Sequence, residues 1–197
     1  MLIAPLINHI RPGALPTVFG LSGYSGAGTI PMTDPDGRPT TAPKVPPATL
    51  MGGVKPYSLT DHIHEREAGF HLAELLSSGA APLKVAFVPA VAPWFSGIIA
   101  TVSIPLTGKM TAREVVALFE EKYKGDKLVR IVKDVPQLPD IEGKHTWTVG
   151  GFQVHSEGDR VVIVGGLDNL LKGAATQCIQ NLNLALGYDE YTGIPVE

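Results

Sequence analysis

Residues 159–187 read DRVVIVGGLDNLLKGAATQCIQNLNLALG, an apolar strand joined to a long helix through a polar turn that carries glycines. Arg160 to Val164 is a continuous, β-branched run of the kind a buried strand needs, and Gly165-Gly166 is expected to stop it. Asp168 stands where an N-cap belongs, since its carboxylate can accept from the free amides of a first helical turn. Leu171, Ala175, Cys178, Leu182 and Leu186 then recur at helical spacing, and Gly187 is the expected stop. This spacing predicts that one helix face enters a core and that Cys178 is a buried structural thiol rather than a nucleophile. The remaining set, Asn169, Lys172, Gln177, Gln180, Asn181 and Asn183 with the small Gly173, Ala174 and Ala175, admits two readings. It is either a solvated helix back or a surface for a polar ligand or a second domain.

Working outward, Thr146 to His155 is expected to form a hairpin with Arg160 to Val164 about Glu157-Gly158. Leu83 to Val91 and Gly97 to Leu106 are apolar and β-rich, so they read as core strands, and Thr17 to Leu21 and Leu128 to Val132 as shorter ones. Thr111-Ala112-Arg113-Glu114 is a capping box opening a helix to Tyr123. Glu65 to Ser77 has helical spacing at Ala68, Leu72, Leu75 and Leu76, and Leu2 to Ile10 reads as an uncapped amphipathic helix ended by Pro12-Gly13. Ile30 to Pro56 is dominated by proline and glycine and is expected to be a loop with a turn at residues 34–37. Another loop is expected around Pro136 and Pro139. Strands with few crossover helices between them specify an α+β fold: a mixed, largely antiparallel sheet with helices packed mainly on one face, its other apolar face left for a second copy.

The chain has 197 residues, enough to bury a core without staples, and one cysteine, which excludes an internal disulfide framework. A net charge of −3 with 18% charged residues gives no basic field, so neither nucleic acid nor an anionic membrane is expected as a partner. No apolar run approaches the roughly 20 residues of a membrane helix, and the first residues carry no secretory leader pattern.

Two stretches carry candidate chemistry. Ser22-Gly23-Tyr24-Ser25-Gly26-Ala27-Gly28 lets backbone approach a ligand and offers two hydroxyls, although it lacks the Gly-Lys-Ser/Thr ending of a phosphate loop. His62-Ile63-His64 with Glu65 and Glu67 joins the side chain that titrates near neutrality to carboxylates that can fix its tautomer. General acid/base work, a helix-capping pair and a metal site all use such residues. With no third ligand evident, no metal is expected.

Together, SGYSGAG (22–28), Tyr57 followed by HIHERE (62–67), VPAVAPWFSGIIAT (88–101) and GLDNLLKGAATQCIQNLNLALG (166–187) resemble the N-acetyl-gamma-glutamyl-phosphate reductase family, especially its fungal, mitochondrial form. The resemblance covers nearly the whole chain. It implies that residues 1–197 are the C-terminal substrate and dimerisation domain of a semialdehyde-dehydrogenase-like enzyme. The nucleotide-binding domain, and the catalytic cysteine of an Asn-Pro-Gly-Cys motif, would precede Met1. The implied reaction reduces N-acetyl-glutamyl phosphate to the semialdehyde with NADPH in arginine biosynthesis, the NADP being held mainly by the other domain. By the same resemblance His64 and His62 are the catalytic pair, with His64 as acid/base. Ser22, Ser25, Tyr57 and Glu67 face substrate, and Gly23, Gly26 and Asn169 lie near cofactor. Ser96 departs from the family, whose bacterial members usually carry arginine there. The further implications are a homodimer or tetramer, acetylglutamate kinase as a partner, and the mitochondrial matrix as location. A domain of aspartate-semialdehyde dehydrogenase and a non-catalytic dimerisation module are the alternatives.

Overall fold

The computed structural model describes residues 1–76 and 83–196. The strands are β1 (Thr17–Gly23), β2 (Thr29–Thr33), β3 (Pro39–Pro43), β4 (Lys55–Pro56), β5 (Ala86–Ala92), β6 (Ile98–Pro105), β7 (Val129–Ile131), β8 (Trp147–Val154) and β9 (Arg160–Leu167). The α-helices are α1 (Ile63–Ala73), α2 (Ala112–Lys122), α3 (Leu138–Ile141) and α4 (Thr176–Leu186). Seven strands form one sheet in the order β4-β5-β1-β6-β9-β8-β7, and β2 and β3 form a separate hairpin. The pairs β1–β5 and β7–β8 are parallel and the other four antiparallel, so the sheet is mixed and largely antiparallel as the sequence predicts.

Alternation along the strands divides the sheet into two unlike faces. Val102 and Ile104 of β6, Val161 and Ile163 of β9 and Val149 of β8 point to one side, where they meet Leu72 of α1 and Val115 and Phe119 of α2 in one core. Each such side chain removed from water contributes about 1.5–3 kcal/mol. The capping box of α2 is present: Glu114 N–H donates to Thr111 Oγ1, and Thr111 N–H donates back to Glu114 Oε2. On the other side Phe19, 51% exposed, is in register with Thr101 and Val88, and Leu21 with Ile99, with the single turn of α3 packed over one end. An apolar, half-covered sheet face is what the sequence leads one to expect of a surface meant for a partner.

Several expectations are corrected. Leu2 to Ile10 is a 3₁₀ helix over Ala4–His9 rather than an α-helix, and Ile10 bridges to Leu106, just past the end of β6. Ile30 to Pro56 is structured: β2 and β3 pair about the expected turn, where Gly37 N–H donates to the Asp34 carbonyl, followed by a 3₁₀ turn at Pro47–Leu50. In the loop expected around Pro136 and Pro139, Pro139 sits in the first turn of the short helix α3, a place that suits proline, and Pro136 precedes its N-cap Gln137. α1 is shorter than predicted, and its expected end at Ser77 lies outside the described residues. Gly165-Gly166 does not stop β9, which pairs with β6 and β8 through Leu167.

The largest correction is to the last helix. It opens with a π turn at Leu171–Ala175, and its buried face is the polar one: Lys172, Thr176, Gln180 and Asn183. Lys172 Nζ donates to Gln177 Oε1 and Gln180 Oε1, Gln180 Nε2 donates to Glu190 Oε1, and Asn183 Nδ2 donates to the carbonyls of Glu190 and Thr192, each at 3.0 Å. These bonds strap the C-terminal tail onto the helix and satisfy the buried polar groups. Burial pushes the Lys172 ammonium pKa down, although Glu190 and Asp126 pull it up. The expected core face is largely outside instead: Ala175, Cys178, Leu182 and Leu186 are exposed and Leu171 is half-buried, with Ile179 and Leu184 exposed beside them. Helical spacing identified the two faces of α4 but not which one is buried, because a polar tail can satisfy amides as well as a core can bury leucines. In this chain Asn183→Ala should therefore cost about 1–3 kcal/mol in urea unfolding. Leu182→Ser should stay within about 0.5 kcal/mol of the parent; the reverse ranking would restore the amphipathic reading.

Candidate active site

The corner at the end of β9 is built around Asp168, which is 3% exposed. Its Oδ1 accepts from the amides of Leu170 (2.8 Å) and Leu171 (3.1 Å), the capping role the sequence predicts. Its Oδ2 accepts from Gly143 N–H (2.8 Å) and from the buried Ser96 hydroxyl (3.1 Å). Burial works to raise the Asp168 pKa, but the three amides and the Ser96 hydroxyl outweigh it and hold the group below its ordinary value. Ser96 is committed to this network and offers no cation to an anionic ligand.

Asn169, next to this anchor, is a clamp. Its Oδ1 accepts from Gly97 N–H (2.7 Å) and its Nδ2 donates to Ser25 Oγ (2.9 Å), tying the β1 loop to the β5–β6 connection. Gly97 has φ of 101°, and a Cβ there would lie 2.5 Å from Leu138 Cδ1, so only glycine suits the place where Asn169 grips. Both polar ends of the Asn169 amide are thus used within the chain.

Between this clamp and the N-terminus of α1 lies a cleft of about 360 Å³ lined by Gly20, Ser22, Ser25, Gly26, Tyr57, His64, Phe87, Pro89, Ile98, Asn169 and Leu170. Of the residues singled out from sequence, Ser22, Ser25, Gly26, Tyr57, His64 and Asn169 come together here. Gly23 does not line the cleft: it is buried, and a Cβ on it would be 2.5 Å from the Phe95 carbonyl oxygen. His62 and Glu67 stand behind His64 rather than in the cleft wall.

The two histidines have different hydrogen-bonding duties. His62 is the N-cap of α1, and its Nδ1 accepts from His64 N–H at 3.2 Å, so its own proton in the neutral form is on Nε2. Desolvation, and then the proximity of His64, hold the His62 pKa below the ordinary histidine value, while Glu65 and Glu67 work in the opposite direction. His64 Nδ1 lies 2.6 Å from Glu67 Oε2; a carboxylate only accepts, so Nδ1 carries the proton and Nε2 is left as the base. The rings pack together, centroids 4.7 Å apart, and both rest on Phe87, at 5.0 Å for His62 and 5.8 Å for His64. Tyr57 meets His62 edge-on at 5.8 Å, and desolvation raises its phenol pKa. A hydroxyl pair, a phenol and a carboxylate-oriented imidazole around a small cleft suit proton transfer at a polarised carbonyl. Among the described residues no three His, Cys, Asp or Glu side chains gather to hold a metal ion.

Residues 1–169 match the family described as the semialdehyde dehydrogenase, dimerisation domain. The chain belongs to this family. It is 50% identical over 193 residues to Protein arg-6, mitochondrial, of Neurospora crassa, covering 98% of this chain and 20% of that protein. It is 43% identical over 192 residues to the N-acetyl-gamma-glutamyl-phosphate reductase of Xanthomonas euvesicatoria, covering 98% of this chain and 54% of that one. The chain thus spans a fifth of the fungal relative and about half of the bacterial one. Its fold is that of aspartate semialdehyde dehydrogenase II from Vibrio cholerae, with a TM-score of 0.66 at 18% identity over 94% of this chain and 58% of the other. The family match ends at Asn169, and the helix with the exposed leucines lies beyond that match.

Sequence reasoning missed Gly20, Phe87, Pro89, Ile98 and Leu170 as cleft walls, since nothing in their types marks chemistry. It also misplaced Glu67, which orients His64 instead of reaching the cleft. For Asp168→Ala, the loss of a charged acceptor of four donors should lower stability by about 3 kcal/mol at neutral pH. Because the folded-state pKa is depressed, this contribution is complete above the ordinary aspartate range and disappears as pH falls through the depressed value. Urea unfolding of parent and variant across that range measures it, and a pH-independent difference would contradict the role given to the carboxylate.

Proposed function

We propose that this chain is the C-terminal substrate and dimerisation part of an NADP-dependent N-acetyl-gamma-glutamyl-phosphate reductase of arginine biosynthesis, reducing the acyl phosphate to the semialdehyde with release of phosphate. The observation that carries this reading is the gathering of Ser22, Ser25, Tyr57 and a carboxylate-oriented His64 in one cleft, in a chain 43% identical to a protein of that name. Aspartate-semialdehyde dehydrogenase is the weaker alternative, because the likeness there is one of fold at 18% identity. A module for dimerisation alone would have no use for the oriented imidazole.

In this reading the cysteine nucleophile and the greater part of the NADP site belong to sequence preceding Met1, and the isolated chain is inactive. The cleft has room for the reacting groups and not for a whole dinucleotide; NADPH, when bound, supplies the hydride, with Gly26 and Asn169 as the near wall. Ser22 and Ser25 hold the substrate's polar groups, Tyr57 remains a neutral donor, and His64 Nε2 passes the proton to or from the substrate oxygen. Glu67 stabilises the imidazolium that results. The exposed leucines of α4 are the seat for the nucleotide-binding part, and the open sheet face around Phe19 and Thr101 is the seat for a second copy. The fungal relatives' printed names support a mitochondrial location. Acetylglutamate kinase as a partner rests on the resemblance to the fungal form.

In the full-length enzyme His64→Asn should lower kcat by roughly 100- to 10,000-fold with little change in KM, since it removes proton transfer but not binding. His62→Asn should instead lower the melting temperature and leave kcat close to the parent's. If His62→Asn abolishes turnover and His64→Asn does not, the roles are exchanged; normal kcat in both overturns the site. Sedimentation of the chain at micromolar concentration should give a dimer that Phe19→Asp dissociates, and a monomeric parent would contradict the proposed interface.

A further inference from the structure

Glu65 lies in the same histidine-rich motif, yet its carboxylate is hydrogen-bonded to backbone amides and to neither ring. One oxygen, Oε1, accepts from Phe87 N–H of β5 at 2.9 Å, and the other, Oε2, accepts from Asp61 N–H at 3.1 Å. The first bond fills a gap in the sheet. β4 pairs with β5 at Val91 and Ala90, and Tyr57 N–H reaches the Pro89 carbonyl, so among the described residues the outer edge of β5 has no strand beside it at Phe87. An edge amide left bare is a cost that a carboxylate removes well, because a charged acceptor forms the stronger hydrogen bond. The second bond holds the turn that enters α1. Ser58 and Asp61 have φ of 42° and 59°, a left-handed region that non-glycine residues occupy only when their surroundings enforce it.

We infer that Glu65 is a positioning residue for the acid/base histidine: one carboxylate ties the strand carrying Phe87 to the turn preceding His62, and so fixes the height of both imidazoles over the Phe87 ring. The inference rests on the proposed role of His64 and adds the reason why that imidazole faces the cleft. The tie is geometric. Glutamine at this position has one acceptor oxygen, so its NH₂ would oppose one of the two amides; aspartate keeps the charge but is one methylene too short to span them.

The test uses two readouts. In the full-length enzyme Glu65→Gln and Glu65→Asp should each lower kcat by roughly 10- to 100-fold, the scale of a displacement near 1 Å, while KM for the acyl phosphate stays within about twofold. Failure of Asp to rescue separates geometry from charge. In the 197-residue chain both variants should lose the nuclear Overhauser contacts between the Phe87 and His64 rings seen in the parent. Parent-like kcat with those contacts retained overturns the inference, as does a lowered melting temperature with normal kcat below it. If His64→Asn itself keeps normal kcat, the functional reading has failed, and the ring contacts alone decide the positional claim.

Discussion

A single buried carboxylate fixes the corner on which the cleft depends. Asp168 accepts from Leu170, Leu171, Gly143 and Ser96, and so binds together the end of β9, the connection from α3 into β8, and the connection from β5 to β6. An isolated buried charge would be costly, but four donors aimed at it make the charged form the stable one. With Asp168 held, Asn169 has one place to be, and from there it grips Gly97 and Ser25. The cleft wall therefore inherits its precision from the sheet and not from the loops that line it, which is the arrangement a reacting site requires.

The same sheet sets the division of surfaces. Its covered face holds the aliphatic and aromatic core under α1 and α2, and the cleft opens on that side, beyond the start of α1. Its open face and the outer side of α4 keep apolar side chains exposed in this chain. Two apolar surfaces are therefore left exposed, one on the sheet and one on α4 beyond the end of the family match, in a chain that spans a fifth of the fungal relative and about half of the bacterial one.

Much of the fold is legible locally. The β-branched run at Arg160, the capping box at Thr111 and the turn at Asp34-Pro35-Asp36-Gly37 each contain their own instruction within a few residues, and each forms where expected. What could not be read depends on distant partners. Leu182 and Asn183 are adjacent in sequence and roughly 100° apart around α4; which one is buried is settled by the carbonyls of Glu190 and Thr192, not by spacing. The pairing of β2 with β3 across a proline-rich stretch is equally invisible to a period-2 search, since prolines spoil the pattern that marks a strand. In the site, the residue types at His62 and His64 announced proton chemistry, but their division of labour rests on a backbone amide and on Glu67 one helical turn away.

That division is the centre of the account: His62 Nδ1 accepts from the backbone at the start of α1, whereas His64 Nδ1 donates to Glu67 and Nε2 is left as the base. Long-range nitrogen–proton correlation spectra of the imidazoles, recorded above the histidine titration range, distinguish the two tautomers directly. His64 should be protonated on Nδ1 and His62 on Nε2, and Glu67→Gln should weaken the His64 preference without touching that of His62. A His64 ring protonated on Nε2 in the parent chain would contradict the assignment, because Nε2 would then not be the free base and the Glu67 carboxylate at Nδ1 would have no donor to orient.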